Sequence, residues 1–306
     1  MSSSPTSDTG GLRRGRAPGR VVRAVLSRAA HPLLLVSVVA VFVSSVRFGW
    51  AQDRVTLLFQ LSVLGYLVVL EYLIPYERAW QPNRREWGWY AVYYVLTALS
   101  GALGQTLVMI AVGAVARPDS MFPLWVEIPF ALLLGSLTSY TVHRLGHVNP
   151  WLWRLHGVHH VPDKVNVGNN GVNHVADVLI SQASVQLTVA LVGFSERAVF
   201  GVGLFVIAQG YFIHANITVR LGRLNHVFAG PEQHRLHHST DLAEAGHYGS
   251  ELSVWDRVFG SYTWHPGREP ASVGLVRPET FPGTGAILAT LVHPLRRSAK
   301  AGETAG

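Results

Sequence analysis

Four long apolar stretches decide what this chain can fold into. They run from about Leu33 to Trp50, Val55 to Pro75, Trp87 to Ala116 and Met121 to Val142. Each is long enough to cross a bilayer core of roughly 30 Å. Apolar residues make up 49% of the chain and charged residues only 14%, a balance too apolar for an ordinary soluble domain. The sequence therefore predicts an all-α, integral membrane helical bundle.

A fifth apolar region, from Val178 to Ile213, is too long for a single helix. It is interrupted near Gly193 to Arg197, which predicts a tight helical hairpin. Each arm of the hairpin is at or just under the usual spanning length. The predicted fold is thus about four spanning helices plus a helical hairpin.

The distribution of arginine predicts the orientation, because short loops rich in Lys and Arg stay in the cytoplasm. Six arginines precede the first span and three lie between the second and third spans, whereas the loops at 51–54 and 117–120 carry one each. Four crossings from a cytoplasmic N-terminus return the chain to the cytoplasm at His143. The hairpin then brings His214 back to the same face, and the C-terminus is expected there too.

Composition excludes some classes of function. The net charge of +7 is spread over the N-terminal arm, the loops and the tail, so contact with an anionic inner leaflet explains it and no nucleic acid partner is expected. Because the chain has no cysteine, disulfides, cysteine-ligated iron–sulfur clusters and thiolate zinc sites are excluded. We expect a basic, disordered arm over residues 1–30, one membrane domain over residues 31–293 and a flexible tail over residues 294–306.

Three short motifs, HRLGH, HGVHH and HRLHH, concentrate histidine in this chain. An imidazole is a neutral ligand suited to iron, zinc, copper or nickel. Positions three and four apart lie on one helix face, so each motif can aim several ring nitrogens at one place. The eight histidines of the motifs are His143, His147, His156, His159, His160, His234, His237 and His238.

Eight imidazoles are too many for one metal ion. Two ions with four or five nitrogen ligands each would use them, and His214 is the expected ninth ligand. Asn149 and Pro150 predict a helix break after HRLGH, and HGVHH is expected to continue on a new helix with its three histidines facing one cavity. His174 stays open between a ligand, a partner aimed by Asp177 and an interfacial residue.

The order HxxxH, HxxHH, HxxHH resembles the fatty acid hydroxylase and sterol desaturase superfamily of membrane di-iron enzymes. PEQHRLHHS and HYGSELSVWDRVFGSYTW are similar to that family's HRxHHS and NYGxxLxxWDRLFGT, and the resemblance covers about Gly65 to Trp264. It implies a non-haem centre of two Fe²⁺ ions, held largely by histidine. Such a centre uses O₂ and external electrons to hydroxylate or desaturate a C–H bond of a lipid, such as a sterol or a fatty acyl chain, in lipid biosynthesis or modification.

Carried onto this sequence, the resemblance makes the eight clustered histidines iron ligands on a cytoplasmic, histidine-rich helical cap. His214 in FIHANI resembles the family's HxN element, and His174 with Asp177 resembles its HPxE element. The family's NYG asparagine is His247 here, which makes His247 a candidate ligand or partner of a ligand. Asp256, in the matching WDR segment, either packs the cap or orients a ligand histidine through its second nitrogen.

The electrons must come from outside the chain, because the sequence contains no haem-binding, flavin or iron–sulfur motif. We expect a ferredoxin, a rubredoxin or a cytochrome with its reductase as the donor. Arg220, Arg223 and Arg235 are candidates for its docking site, and the alternative is that they contact anionic lipid.

Two other functions would use many histidines. A membrane metal transporter would place its ligands near the bilayer midplane, where this chain has only Glu71, Gln105 and Glu127 as isolated polar residues. A zinc-dependent membrane hydrolase would need three protein ligands and a general base, which leaves most of the histidines unexplained.

Overall fold

The computed structural model describes residues 18–112 and 122–296, and these ranges contain helices and turns but no strand. The α-helices in these ranges are α1 (Pro18–Phe48), α2 (Gln52–Leu73), α3 (Arg84–Val112), α4 (Leu124–Val148), α5 (Pro150–His156), α6 (Val175–Val192), α7 (Glu196–His214), α8 (Pro231–His237), α9 (Val254–Val258) and α10 (Ile287–Val292). Short 3₁₀ turns lie at Arg78–Trp80, Gly157–His160, Val167–Gly171, Gly222–His226, Pro278–Thr280 and His293–Leu295.

Six of these helices, α1 to α4 with α6 and α7, are long and apolar enough to cross a membrane. They expose large apolar side chains on their outer faces; Trp125 is 78% exposed and Ile110 is 77% exposed. Such faces are stable against lipid and not against water. The predicted all-α, multi-pass membrane bundle is confirmed.

The predicted spans correspond to these helices, with differences at the termini. Because α1 begins at Pro18, residues 18–30 are helical and the prediction of disorder is wrong for them. Residues 1–17 and 297–306, which hold the rest of the predicted arm and most of the predicted tail, lie outside the described residues. The predicted last residue of the third span, Ala116, and the predicted first residue of the fourth span, Met121, also lie outside them.

The predicted hairpin is formed by α6 and α7, and local chemistry explains its tight turn. Gly193 ends α6 in the left-handed conformation, with a φ of 79°, which glycine adopts without steric strain. Ser195 then caps α7 by accepting from the Ala198 N–H at 3.2 Å. The Ser195 N–H and hydroxyl donate to the Glu127 carboxylate of α4 at 2.8 and 2.7 Å, which fixes the turn to its neighbour.

α7 is the central helix of the bundle. It packs on α1, α2 and α4, whereas α6 packs on α3 and α4. One buried apolar cluster joins α1, α2 and α7 through residues such as Leu34, Leu67 and Leu204. A second joins α4, α6 and α7 through residues such as Ala131 and Val189. This packing holds the C-terminal end of α7, which carries His214, in a fixed position.

The short helices form a cap at one end of the bundle. α4 ends there with HRLGH, α7 ends there at His214, and α6 begins there after His174. The cap segments pair through isolated antiparallel bridges, Pro75 with Ile217 and Phe228 with Leu252. All the histidine motifs therefore lie at the same end of the bundle. That this end faces the cytoplasm remains a prediction from the arginines.

Candidate metal centre

Nine buried or half-buried histidines converge in the cap and form two adjacent groups. Within each group, one ring nitrogen per residue lies within 4.8 Å of the others, which is the spacing that a shared metal ion requires. The first group consists of His143, His147, His156, His160 and His237. The second group consists of His159, His214, His234 and His238. We call them the five-histidine group and the four-histidine group.

The spacing within each motif determines which group a histidine joins. Histidines four residues apart share a group, as His156 and His160 do, because they lie one turn apart on the same face. The middle histidine of each HxxHH motif joins the opposite group. His159 of HGVHH thus enters the four-histidine group, and His237 of HRLHH enters the five-histidine group. Each HxxHH motif therefore contributes histidines to both groups. The two groups are in contact, since the centres of the His160 and His238 rings are 4.4 Å apart.

The path of HGVHH differs from the prediction of one helix facing one cavity. The break at Asn149 and Pro150 is confirmed, with the Asn149 carboxamide accepting from the Trp151 N–H at 2.9 Å. However, α5 ends at His156, and the next four residues form a 3₁₀ turn. With three residues per turn, neighbouring side chains differ by about 120° in direction. His159 and His160 therefore point to different groups.

Backbone carbonyls hold the outer nitrogen of several rings. In the five-histidine group, His143 Nδ1 donates to the Tyr248 carbonyl at 2.7 Å and His237 Nδ1 donates to the Gly246 carbonyl at 2.9 Å. Because a carbonyl can only accept, each Nδ1 must carry the ring proton. The Nε2 lone pair of each ring is then free to bind a metal ion.

The four-histidine group is held in the same way. His159 Nδ1 donates to the Val172 carbonyl at 3.2 Å, and His214 Nδ1 donates to the Asn166 carbonyl at 2.9 Å. Both acceptors lie beside the 3₁₀ turn Val167–Gly171, so this turn aims two rings into the group. These acceptors could not be predicted from the sequence, because every residue has a carbonyl.

Asp177 holds a histidine, although not the predicted one. Its carboxylate lies 3.1 Å from His156 Nδ1. His174 instead caps α6, with Nδ1 accepting from the Ala176 N–H and Nε2 donating to the Leu291 carbonyl. Since both nitrogens of His174 are engaged, it lies outside both groups and is not aimed by Asp177.

The inner nitrogens have the pattern expected of metal ligands. In the five-histidine group, the five Nε2 atoms are buried and make no hydrogen bond. In the four-histidine group, Nε2 atoms face each other; His159 is 3.3 Å from His214, and His234 is 3.1 Å from His238. Buried polar atoms without partners cost about 1–3 kcal/mol each, and a shared cation removes this cost. The residues therefore fit a metal ion in each group.

The electrostatics of the cap keep these rings neutral. Burial, followed by the neighbouring histidines, lowers the pKa of His160 and His238 well below the usual value, and it does the same for His159, His234 and His237. A neutral imidazole is the form that binds metal. The site is thus prepared for cations at neutral pH.

Asp256 makes its hydrogen bonds to the loop whose carbonyls hold His143 and His237, and not to a histidine. It is fully buried, and its carboxylate accepts from the Tyr248 N–H at 2.7 Å, the Gly249 N–H at 3.0 Å and the Ser261 hydroxyl at 2.7 Å. This loop, residues 246–249, supplies the acceptors for His143 and His237. Of the two alternatives predicted for Asp256, its contacts fit packing of the cap, and any effect on the ligands is transmitted through the loop.

His247 lies outside both groups. Its Nε2 accepts from the Thr263 N–H at 3.1 Å, and its φ of 64° is in the left-handed region. Asparagine and histidine are among the residues that adopt this conformation most often. The backbone at this position thus suits both the asparagine of the NYG pattern that this segment resembles and the histidine found here.

We predict that His247→Asn makes the protein less sensitive to acid. Burial, and then the charge of Arg268, lowers the pKa of His247 to about 3, whereas an unfolded histidine titrates near 6.5. This histidine therefore stabilises the fold fully above pH 6.5, and the stabilisation is lost as the pH falls towards 3. At pH 5 the loss is about 2 kcal/mol. The measurement is the thermal midpoint of metal-free protein at pH 7 and pH 5.

The midpoint should fall less between these pH values in His247→Asn than in the parent protein. His265→Asn, at an exposed histidine, is the matched control and should leave the pH dependence unchanged. An equal fall in all three proteins would show that folding does not shift the pKa of His247.

Glu71 is a residue whose role was not predicted, although it was recognised as a polar residue within a span. Its carboxylate accepts from the Val167 and Asn216 N–H groups, both at 2.7 Å. Asn216, two residues after His214, also donates to the Glu77 carbonyl. Glu71 therefore ties the end of α7 to the turn beside the Asn166 carbonyl, which holds His214.

The arginines predicted as a docking surface are not equivalent. Arg220 and Arg223 are exposed, but Arg235 is only 4% exposed and its guanidinium lies over the Tyr76 ring, 3.8 Å from the ring centre. A buried side chain cannot contact a partner protein, so Arg235 is removed from that prediction.

Comparison with known proteins tests the predicted resemblance. Residues 128–261 match the family model described as fatty acid hydroxylase, and this segment contains all nine histidines of the two groups. Over this segment the chain is similar to the fatty acid hydroxylase family. The predicted resemblance is confirmed.

The relatives are lipid-modifying enzymes. Ornithine lipid hydroxylase OlsE of Rhizobium tropici is 28% identical over 292 residues, which cover 90% of this chain and 87% of that protein. The alkylglycerol monooxygenase of Danio rerio is 28% identical over 162 residues, covering 52% of this chain and 34% of that protein. That of Homo sapiens is 26% identical over 147 residues, covering 45% and 31%. No solved structure matches the chain.

Proposed function

We propose that this protein is a membrane-bound, O₂-dependent non-haem di-iron hydroxylase that acts on a membrane lipid with a polar headgroup. The observation that carries the proposal is the pair of adjacent histidine groups, with five and four inward-facing ring nitrogens, at one end of a membrane bundle. Iron accepts imidazole ligands readily, and its redox chemistry can activate O₂.

The donor set favours this function over the two alternatives. A catalytic zinc ion needs three protein ligands, whereas each group offers at least four. A transporter requires ligands along a path through the membrane. Here the nine histidines lie together at the end of the bundle, and backbone carbonyls hold four of them, as in a rigid resident site.

The residues of the chain would contribute positioning and exclusion of water. The carbonyls of Tyr248 and Gly246 fix the proton of two rings on Nδ1, so that the lone pairs face inward. When bound, the two iron ions supply the redox chemistry that inserts an oxygen atom of O₂ into a C–H bond. Burial of the groups keeps water from competing with the apolar substrate.

The substrate class follows from the relatives and from the position of the site. A lipid chain can reach the cap from the bilayer, because α4 and α7 run from the apolar region directly into the histidine groups. Among the relatives, ornithine lipid hydroxylase OlsE matches this chain along most of its length. We therefore propose an ornithine lipid as the first substrate to test and an alkylglycerol as the second.

Two further parts of the proposal concern the surroundings of the site. We place the cap in the cytoplasm, as the arginine distribution predicts. There a ferredoxin, rubredoxin or cytochrome would deliver electrons, with the exposed Arg220 and Arg223 as contacts. Acidic electron carriers fit such a surface.

The test is a reaction of purified, iron-loaded protein in vesicles with ¹⁸O₂, a ferredoxin and its reductase, and one lipid at a time. We expect two iron ions per chain and a lipid product that gains one ¹⁸O atom. A product that lacks two hydrogens and contains no ¹⁸O would instead show desaturation. Tightly bound zinc without O₂ consumption would contradict the proposal.

A further inference from the structure

Glu251 is a buried acid that the metal groups do not use. It is 5% exposed, and only one of its carboxylate oxygens has a partner, the Ser139 hydroxyl at 3.3 Å. The other oxygen, Oε2, is buried and makes no hydrogen bond. A carboxylate with an unpartnered buried oxygen is costly when charged, so this position favours a carboxyl group that takes up a proton.

Glu251 contacts α4, the helix that carries two histidines of the five-histidine group. Its partner Ser139 precedes His143 by four residues in α4, which is about one helical turn, or roughly 6 Å along the axis, on the same face. Tyr248, three residues before Glu251, supplies the carbonyl that holds His143. The loop is also paired with the cap through the Ala229 N–H and the Glu251 carbonyl, at 3.2 Å. The Glu251 carboxyl is thus held about one helical turn from His143, towards the membrane helices.

Other titratable groups on the elements around Glu251 are engaged elsewhere. Arg144 donates to the Tyr140 hydroxyl at 3.0 Å and to the Phe259 carbonyl, and Asp256 accepts from three donors of its own. His226 lies 3.1 Å from the Tyr262 hydroxyl. Among the groups on these elements are Tyr140, His143 and Arg144 of α4, His226 of the segment paired with Glu251, His247 and Tyr248 of the loop, and Asp256 and Arg257 of α9. Among the described residues, none of these forms an ion pair or a hydrogen bond with the Glu251 carboxyl group.

The proposed reaction needs protons at this place. Hydroxylation follows R–H + O₂ + 2e⁻ + 2H⁺ → R–OH + H₂O, in which one oxygen atom enters the C–H bond and the other leaves as water. The two electrons come from the external iron–sulfur or haem protein. The ligand histidines are poor proton sources, because Nδ1 protons such as that of His237 are bound to carbonyls and the Nε2 atoms face the metal positions.

We infer that Glu251 supplies protons to the oxygen atom that leaves as water. This inference rests on the proposed hydroxylase function and goes beyond it by assigning a residue outside the histidine groups. Burial raises the pKa of Glu251 to about 7, with the Ser139 hydroxyl and the residue's own backbone opposing the shift, so the group can both hold and release a proton near neutral pH.

Glu251→Gln tests the inference, because it keeps the size and the hydrogen bond but removes the exchangeable carboxyl proton. We expect kcat to fall by about 10²-fold at pH 7. More of the consumed O₂ should appear as hydrogen peroxide, because an oxygen species that is not protonated correctly is released. The KM for the lipid and the iron content should not change. Ser139→Ala is the matched control, since it removes the same hydrogen bond and leaves the carboxyl group.

Three outcomes would overturn the inference. Unchanged coupling of O₂ to product in Glu251→Gln would exclude proton supply. A raised KM with intact coupling would show that Glu251 binds the polar part of the substrate. Equal defects in Glu251→Gln and Ser139→Ala would show that the carboxyl proton is not the cause, because Ser139→Ala retains it.

Infrared spectroscopy gives a reading that does not depend on activity. The parent protein and Ser139→Ala should show a protonated carboxyl band that titrates near neutral pH, and Glu251→Gln should lack it. Absence of this band from the parent would overturn the inference. If the band is present but the iron-loaded parent protein oxidises no lipid, the proposed function fails while the titration of Glu251 stands.

Discussion

Replacing His237 with alanine is expected to leave at most one iron ion per chain and to abolish lipid hydroxylation. His237 is the ligand that the cap motif HRLHH contributes to the five-histidine group, and it lies within 4.8 Å of the other four ring nitrogens. Its removal leaves a cavity beside a site whose remaining ligands come only from α4, α5 and the following turn. The measurements are metal analysis of the purified variant and product formation from the lipid substrate.

His226→Ala is the matched control, because it removes a half-buried cap histidine that belongs to neither group and binds Tyr262. This variant should keep two iron ions and most of the activity. Metal binding to the native state raises stability by about 4 kcal/mol at a metal concentration 1,000 times Kd. Adding iron should therefore raise the thermal midpoint of His237→Ala less than it raises that of His226→Ala. Two bound iron ions and full activity in His237→Ala would contradict the assignment of the site.

The membrane helices could be predicted from the sequence because their signal is carried by many residues at once. A span needs about twenty apolar residues, so a few misassigned positions do not change the conclusion. The first and last residues of each helix depend on single side chains, so the helix ends were predicted less accurately than the spans. Residues 18–30 are helical because arginine tolerates a helical backbone at the membrane surface, which composition alone does not reveal.

The histidines of the site could also be selected from the sequence, but not their division between two groups. Spacing gives direction only while the backbone stays α-helical. At Gly157 it does not; a Cβ atom there would lie 2.4 Å from the Phe281 ring, which is distant in sequence. That tertiary contact requires glycine in the tight turn that sends His159 and His160 apart. No local pattern contains this information.

The atoms that orient the rings were the least predictable part of the site. The path of the backbone places the carbonyls of Val172 and Gly246 next to the histidine rings. The side chains of these two residues do not contribute to those hydrogen bonds. Asp177 was recognised as a partner of histidine, but its partner proved to be His156 because α6 packs against α5. The sequence thus predicted the role of Asp177 as a histidine partner, but not which histidine it holds.

Asp256→Asn is expected to weaken metal binding at the five-histidine group by about 10- to 100-fold, although Asp256 contacts no ligand. In the parent protein, Oδ1 accepts from Tyr248 N–H and the Ser261 hydroxyl, and Oδ2 accepts from Gly249 N–H. An asparagine amide can replace only one of these oxygens, so its NH₂ group would face a donor. A buried donor without a partner costs about 1–3 kcal/mol.

The loop has no room to relax around this change, since a Cβ atom at Gly249 would already lie 2.8 Å from Asp256 Oδ2. We therefore expect the carbonyls of Tyr248 and Gly246 to shift together and to loosen His143 and His237 at once. The measurements are iron affinity and the thermal midpoint of the metal-free protein.

Asp241→Asn is the control for Asp256→Asn, because Asp241 also accepts a backbone N–H, from Ala243 at 3.0 Å, but is exposed to water. It should leave both measurements unchanged. A lower midpoint with normal iron affinity in Asp256→Asn would mean that the loop stabilises the cap without positioning the ligands. Loss of affinity confined to one ion would show that the loop acts on the five-histidine group alone, because in the four-histidine group the acceptors found for His159 and His214 lie beside the turn Val167–Gly171 instead.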